Sequence, residues 1–124
     1  MKTNIYLGAL LAIAVFTTAC QQERGKAFIP GTYVNHAKGT YALADDTLVI
    51  RLSEGQNYEV LRRTGFNRIL NGKLKKREHE TETWRAVYDE KTGVLKETRY
   101  GKVITFYPDS VKLRVGNREY NKLK

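Results

Sequence analysis

A run of cations is the feature of this chain whose residue types and spacing could most directly do chemistry. Arg62, Arg63, Arg68, Lys73, Lys75, Lys76 and Arg77 follow one another with no acid between them, in a chain of 22 Lys and Arg against 13 Asp and Glu, net +9. Charge concentrated in this way attracts anions: lipopolysaccharide, phospholipid headgroups, an acidic protein or nucleic acid. Nucleic acid is the disfavoured partner. Sequence-tolerant strand binders interleave cations with stacking aromatics, and this run offers only Phe66. The alternative to binding is a solvated hairpin whose like charges discourage edge-to-edge association. Glu78, Glu80 and Glu82 follow at once and can neutralise part of the run.

Residues suited to catalysis are sparse, and the chain reads as a non-enzyme without a cofactor. Ser53 and Ser110 each lie in a turn cluster, neither in a Gly-x-Ser-x-Gly elbow. His36 and His79 are far apart and have no second ligand at metal spacing. Asp45-Asp46, and Glu80 with Glu82, could supply carboxylate pairs for acid–base work. Adjacent Asp more often begins a turn, and alternate Glu more often lines a solvated strand face. Gly31, Gly39, Gly55, Gly65, Gly72, Gly93, Gly101 and Gly116 stand singly, as turn punctuation and not as a phosphate-cradling loop.

Cys20 carries chemistry of another kind. A short start with Lys2 precedes the apolar run Ile5–Phe16, which is too short to span a bilayer at roughly 20 residues. Basic start, apolar run and the small residues Thr17, Thr18 and Ala19 have the order of a secretory signal. Thr17-Thr18-Ala19-Cys20 resembles the lipobox of bacterial prolipoproteins, with Thr17 where that family usually has Leu or Val. The resemblance implies cleavage before Cys20 and acylation of its sulfur and new amino group. A single acyl chain anchors only marginally, at about 0.8 kcal/mol per buried methylene, whereas several hold a domain durably.

The expected organisation is therefore a signal peptide over 1–19, a flexible tether over 20–27 and one domain over 28–124. Gln21 after the cysteine, in place of Asp, implies by the same resemblance an outer-membrane destination. Cys20 is the only cysteine, so the domain has no disulfide and must be held by its own core. Lys2 is the only charged residue before Cys20, so cleavage leaves a charge of +8. Expected partners are the membrane, through the lipid on Cys20, and an envelope protein or anionic polymer.

The elements that must position the cations read as an antiparallel meander. Leu48, Ile50 and Leu52 alternate with Val49 and Arg51, and similar short runs lie between turn clusters at Ser53–Asn57, Asp89–Gly93, Gly101, Pro108–Ser110 and Gly116-Asn117. Asn71-Gly72 suits a type I′ hairpin with Leu70 facing Lys73. Extended outward, that register sets Arg68 opposite Lys75 and Arg63 near Glu80. Seven to nine such strands predict an all-β domain, a small barrel or curled sheet.

The predicted core is Leu48, Ile50, Leu52, Tyr58, Val60, Trp84, Ala86, Tyr88, Ile104, Phe106, Val111, Leu113 and Val115. Gly31-Thr32-Tyr33 loosely resembles the Gly-x-Trp that opens lipocalin-type barrels, with Tyr33 in place of Trp, which raises a carrier of a small apolar ligand as the alternative function. On Phe28–Val34, Thr64–Ile69 and Asn71–Lys73 the chain resembles small lipoproteins of Bacteroides-type bacteria, which implies no activity or site residues.

Overall fold

Turn residues divide the chain into eight strands: β1 (Gly31–Lys38), β2 (Ala42–Glu54), β3 (Asn57–Leu70), β4 (Lys73–Asp89), β5 (Val94–Glu97), β6 (Val103–Tyr107), β7 (Lys112–Val115) and β8 (Arg118–Lys122). The computed structural model describes residues 25–39 and 41–123. The expected signal peptide, the acylation expected at Cys20 and the expected tether as far as Arg24 lie outside those residues. Each strand pairs antiparallel with the next, and β8 returns to β1, closing the barrel. The expected all-β antiparallel meander is thus a closed up-and-down barrel.

The β3–β4 turn forms as its residues dictate. Asn71 (φ 52°) and Gly72 (φ 75°) both take the left-handed conformation of a type I′ turn, and Leu70 faces Lys73. Further out, the expected register fails. A bulge between Asn67 and Ile69 shifts the pairing by one, so Arg63 faces Thr81, and Thr64 faces Glu80.

Strand lengths are unequal, and this positions everything that follows. β2, β3 and β4 run 13, 14 and 17 residues, whereas β5 and β7 run 4 each. β4 pairs with β5 only from Ala86 to Asp89, and β1 pairs with β8 only at Tyr33 and Val34. The excess length of β2–β4 projects past the rim as a ribbon, and the free edge of β4 there carries the charged run Lys73–Glu82.

Inside the barrel, one face of each strand buries Tyr33, Leu48, Ile50, Tyr58, Val60, Trp84, Ala86, Tyr88, Leu95, Ile104, Leu113 and Tyr120. Phe28, Phe106 and Val115 pack against this core. One end is sealed by edge-to-face contacts among Phe28, Tyr33 and Phe106, with ring centroids 5.9–6.2 Å apart. A helical turn over 25–28 tucks Ile29 beneath, and the Tyr33 hydroxyl reaches the carbonyls of Phe28 and Ile29 at 2.8 and 2.9 Å. Residues 25–27, expected within the tether, thus belong to this turn, and Lys26 sits over the Tyr88 ring.

Two predicted core residues are on the surface. Leu52 is 54% exposed because β1 begins opposite Ile50, leaving Leu52 at the rim with one flank open. Val111 is 51% exposed: it caps a 3-10 turn (Pro108–Ser110) in the left-handed conformation instead of entering β7. Two turn assignments also change. Asp45-Asp46 lies mid-strand in β2, and Gly65 lies mid-strand in β3, because both strands extend beyond their apolar stretches.

Candidate anion-binding surfaces

Strand alternation splits the cation run between two faces and a tip. Arg62 and Arg68 share the inner face of the ribbon with Thr64 and Phe66, cross-strand from Glu82, Glu80 and Glu78. Arg63 and Arg77 lie on the outer face. Lys73, Lys75 and Lys76 occupy the tip, the latter two at the bulge. Arg62, Arg68 and Arg77 are committed to carboxylates: Arg62 to Asp46 (3.0 Å) and Glu82 (3.5 Å), Arg68 to Glu78 (2.8 Å), Arg77 to Asp45 (2.7 Å). Among the described residues no carboxylate lies within ion-pair distance of Arg63, Lys73, Lys75 or Lys76. The uncommitted charge is therefore concentrated toward the tip, where Leu70 and Leu74 are also exposed.

On the outer face, Arg77 lies flat across β3 to reach Asp45 on β2. It can do so because Gly65 has no side chain: a Cβ there would stand 2.5 Å from its Nη2. The guanidinium donates to Asp45 Oδ2 at 2.7 Å and to Asn67 Oδ1 at 2.8 Å, and His36 Nδ1 lies 2.5 Å from Asp45 Oδ1. The His36 hydrogen bond, reinforced by Arg77, holds the Asp45 carboxyl below its ordinary range.

On the inner face, one residue along, Asp46 is buried at 3% exposure. Arg62 Nε donates to both its oxygens at 3.0 Å, Thr64 Oγ1 to Oδ1 at 2.8 Å, and Arg118 Nη1 to Oδ2 at 3.1 Å. The Tyr120 hydroxyl also donates to Oδ2. Burial pushes the Asp46 carboxyl up, but the bonds from Tyr120 and Thr64 and the charge of Arg62 outweigh it, and it lies below its ordinary range. Burial first, and then Asp46 itself, raise the Tyr120 phenol to about 12.

Above this network opens a cleft of about 670 Å³ between the ribbon, the β7–β8 hairpin and the β5–β6 loop, lined by Asn35, Arg62, Trp84, Lys102, Asn117 and Arg118 among others. Lys102 Nζ sits 4.1 Å above the Trp84 ring, and the Arg62 guanidinium lies 5.9 Å from the same ring. The loop presenting Lys102 is tied down by Glu97, buried although charged, whose carboxylate accepts the backbone N–H of Arg99 (2.5 Å), Tyr100 (2.8 Å) and Lys102 (3.4 Å). Burial raises the Glu97 carboxyl, and the backbone donors more than reverse it.

Reasoning from sequence found Arg62 but not its neighbours in space. Tyr120 and Arg118 lie more than 70 residues from Asp46, and no local pattern announces that pairing. The candidate catalytic groups meet only in part: Asp45 and Asp46 face opposite sides of the sheet, and on the outer side Asp45 is hydrogen-bonded to the exposed His36 and shares a depression of about 250 Å³ with His79 and Glu80. No family model, no curated protein and no solved structure matches this chain, so the functional reading rests on its own geometry.

Proposed function

We propose that this chain is a lipid-anchored, non-catalytic interaction module of the cell envelope, held in the outer membrane by acyl chains on Cys20 and engaging an anionic partner through the β3–β4 tip. The observation that carries the reading is the tip itself. Lys73, Lys75 and Lys76 are exposed and have no carboxylate partner among the described residues, and they flank the exposed Leu70 and Leu74 at the far end of a ribbon that the barrel does not need for closure. Charge draws the partner in, and exposed apolar side chains add contact area once it has arrived. An envelope protein with an acidic face or an anionic envelope polymer fits this surface. The lipid anchor is supported by the order of basic start, apolar run, small residues and lone cysteine.

A carrier of a small apolar ligand is less well supported. Such a carrier needs an apolar cavity, whereas the barrel interior is occupied by Tyr33, Leu48, Ile50, Leu95, Ile104 and Leu113, and the cleft at its mouth is lined by three cations.

The deciding experiment compares wild type with the triple variant Lys73→Glu, Lys75→Glu, Lys76→Glu for retention on an immobilised acidic polysaccharide and on acidic envelope proteins. Salt-sensitive retention of the wild type, abolished in the variant, is expected; equal retention of the two would overturn the tip as the binding surface. Mass spectrometry of the mature N-terminus, with Cys20→Ser as control, tests the anchor.

A further inference from the structure

The barrel-mouth cleft is a second cationic surface, distinct from the tip. We infer that it is a binding site for the phosphate group of a small polar ligand, held between Arg62, Lys102 and Arg118. The three cations come from β3, the β5–β6 loop and β8 and converge on one space. Arg62 and Arg118 touch the same oxygen of Asp46, so their guanidiniums lie side by side, and Arg62 and Lys102 share the Trp84 ring.

The local charge does not balance. Asp46 is one carboxylate between two guanidiniums, and Glu82, 3.5 Å from Arg62, also accepts the Trp84 indole N–H at 2.6 Å, so two carboxylates face the three cations. Glu119, also on the cleft wall, is engaged by Lys112 and Arg114 at 3.3 and 2.8 Å. Among the described residues Lys102 has no carboxylate within ion-pair distance. Its ammonium is held instead by the Trp84 face and by a loop that buried Glu97 fastens through backbone donors.

Asp46 and Glu82 thus offset the two guanidiniums, while Lys102 is pre-positioned without an ion pair, so one positive charge is left over in an ordered site. That is the arrangement that favours binding an outside anion over internal pairing, because ordering is complete before the ligand arrives. Three cations approaching from three elements suit the three oxygens of a phosphate monoester better than the two coplanar oxygens of a carboxylate. The volume of about 670 Å³ lies within the range of small-ligand sites and leaves room for a polar body beyond the phosphate. Asn35 and Asn117 line that space.

Trp84 is the only tryptophan in the chain, so the site carries its own reporter. The full chain is titrated with inorganic phosphate, with glycerol 3-phosphate and with vesicles containing phosphatidic acid, reading Trp84 emission and calorimetric heat, with sodium chloride at matched ionic strength as control. A saturable change with glycerol 3-phosphate or inorganic phosphate identifies a soluble phosphate ligand. Saturation by vesicles alone identifies a lipid headgroup, and both outcomes support the site. Lys102→Met keeps the apolar stem over Trp84 and should weaken binding about tenfold by calorimetry, the loss expected for one charge-assisted hydrogen bond. Arg118→Gln should do likewise, with circular dichroism confirming the fold. A response no different from sodium chloride, or equal affinity in Lys102→Met, would overturn the proposal. The tip variant Lys73→Glu, Lys75→Glu, Lys76→Glu should bind phosphate as wild type does, so failure of either surface is told apart from failure of the other.

Discussion

Asp45 and Asp46 are neighbours in one strand, yet they serve two regions of the molecule that obey different electrostatics. On the outer face Asp45 holds Arg77 and His36 in open solvent. On the inner face the buried Asp46 holds the buried Tyr120, the partly buried Arg62 and Thr64, and Arg118, which is half exposed. Both carboxyls lie below their ordinary range, so acidity alone does not distinguish them. The difference lies in what removal leaves behind: an exposed pair is replaced by water, whereas a buried pair leaves charges that water reaches poorly. The outer face decorates the ribbon; the inner face fastens β2 and β3 to β8.

The largest test of that contrast is Asp46→Asn, which should destabilise the domain by about 3 kcal/mol in denaturant unfolding, because the partly buried Arg62 loses its counter-charge and the Thr64 and Tyr120 hydroxyls lose a charged acceptor. A cost no greater than that of the Asp45 substitution would erase the distinction. The same variant should change the acid limb. A carboxylate whose folded pKa is depressed contributes its full stability above the ordinary value of about 4 and loses it as pH falls through the lower folded value. Wild type should therefore lose stability below about pH 4, and Asp46→Asn should lose less over that window.

Tyr120→Phe comes next, at about 1–2 kcal/mol for one buried hydrogen bond to a charged group. It should also let the Asp46 carboxyl rise toward its ordinary value, which carboxyl-carbon NMR titration reads directly. In the wild type, the absorbance of the Tyr120 phenolate should develop near pH 12, so the stability this phenol contributes is lost between its unfolded value of about 10 and that point.

Asp45→Asn should cost under about 1 kcal/mol, and the loss should shrink further in high salt, as for other exposed pairs. Smallest of all is Gly65→Ala. The new methyl displaces the Arg77 guanidinium from its path to Asp45, while the backbone loses the entropic penalty of glycine, roughly 0.5–1 kcal/mol in a strand. The two effects should nearly cancel in melting experiments, while NMR shows Arg77 released. A large destabilisation would mean that Arg77 cannot swing clear.

How much of this was legible in the sequence depends on which side of the rim one stands. Within the barrel, alternation and turn residues locate Leu48, Ile50, Val60, Trp84, Ala86, Ile104 and Leu113 in the core and place the Asn71-Gly72 turn. Beyond the rim, the inward positions of β2 and β3 change to Asp46, Arg62 and Thr64, so period two continues while hydrophobicity stops. A reading keyed to apolar residues ends the strand there and assigns Asp45-Asp46 to a turn. The bulge at Asn67–Ile69 adds a one-residue shift that no residue announces. Tyr33 and Tyr120 escape the predicted core because each packs on a residue far along the chain, Tyr33 on Phe106 and Tyr120 on Asp46. The candidate cleft was illegible for the same reason: Arg62, Lys102 and Arg118 meet only when β8 returns to β1.

That return has a consequence for the order in which the molecule assembles. Seven of its eight seams join neighbours along the chain, and each can zip from its own turn at small loop-closure cost. The eighth joins β1 to β8 through two residue pairs, with Leu123 N to Thr32 O, Asn35 to the Glu119 carbonyl and Lys122 to the Phe28 carbonyl as cross-ties, the last spanning 94 positions. Contacts that distant reward the chain only after nearly all of it has been ordered. Until that seam forms, the sheet has two bare edges, the arrangement most exposed to pairing with another copy. The side chains of Arg118 and Tyr120 reaching Asp46 across β1 then act as a latch, engaged in the final step and shortening the lifetime of the sticky state.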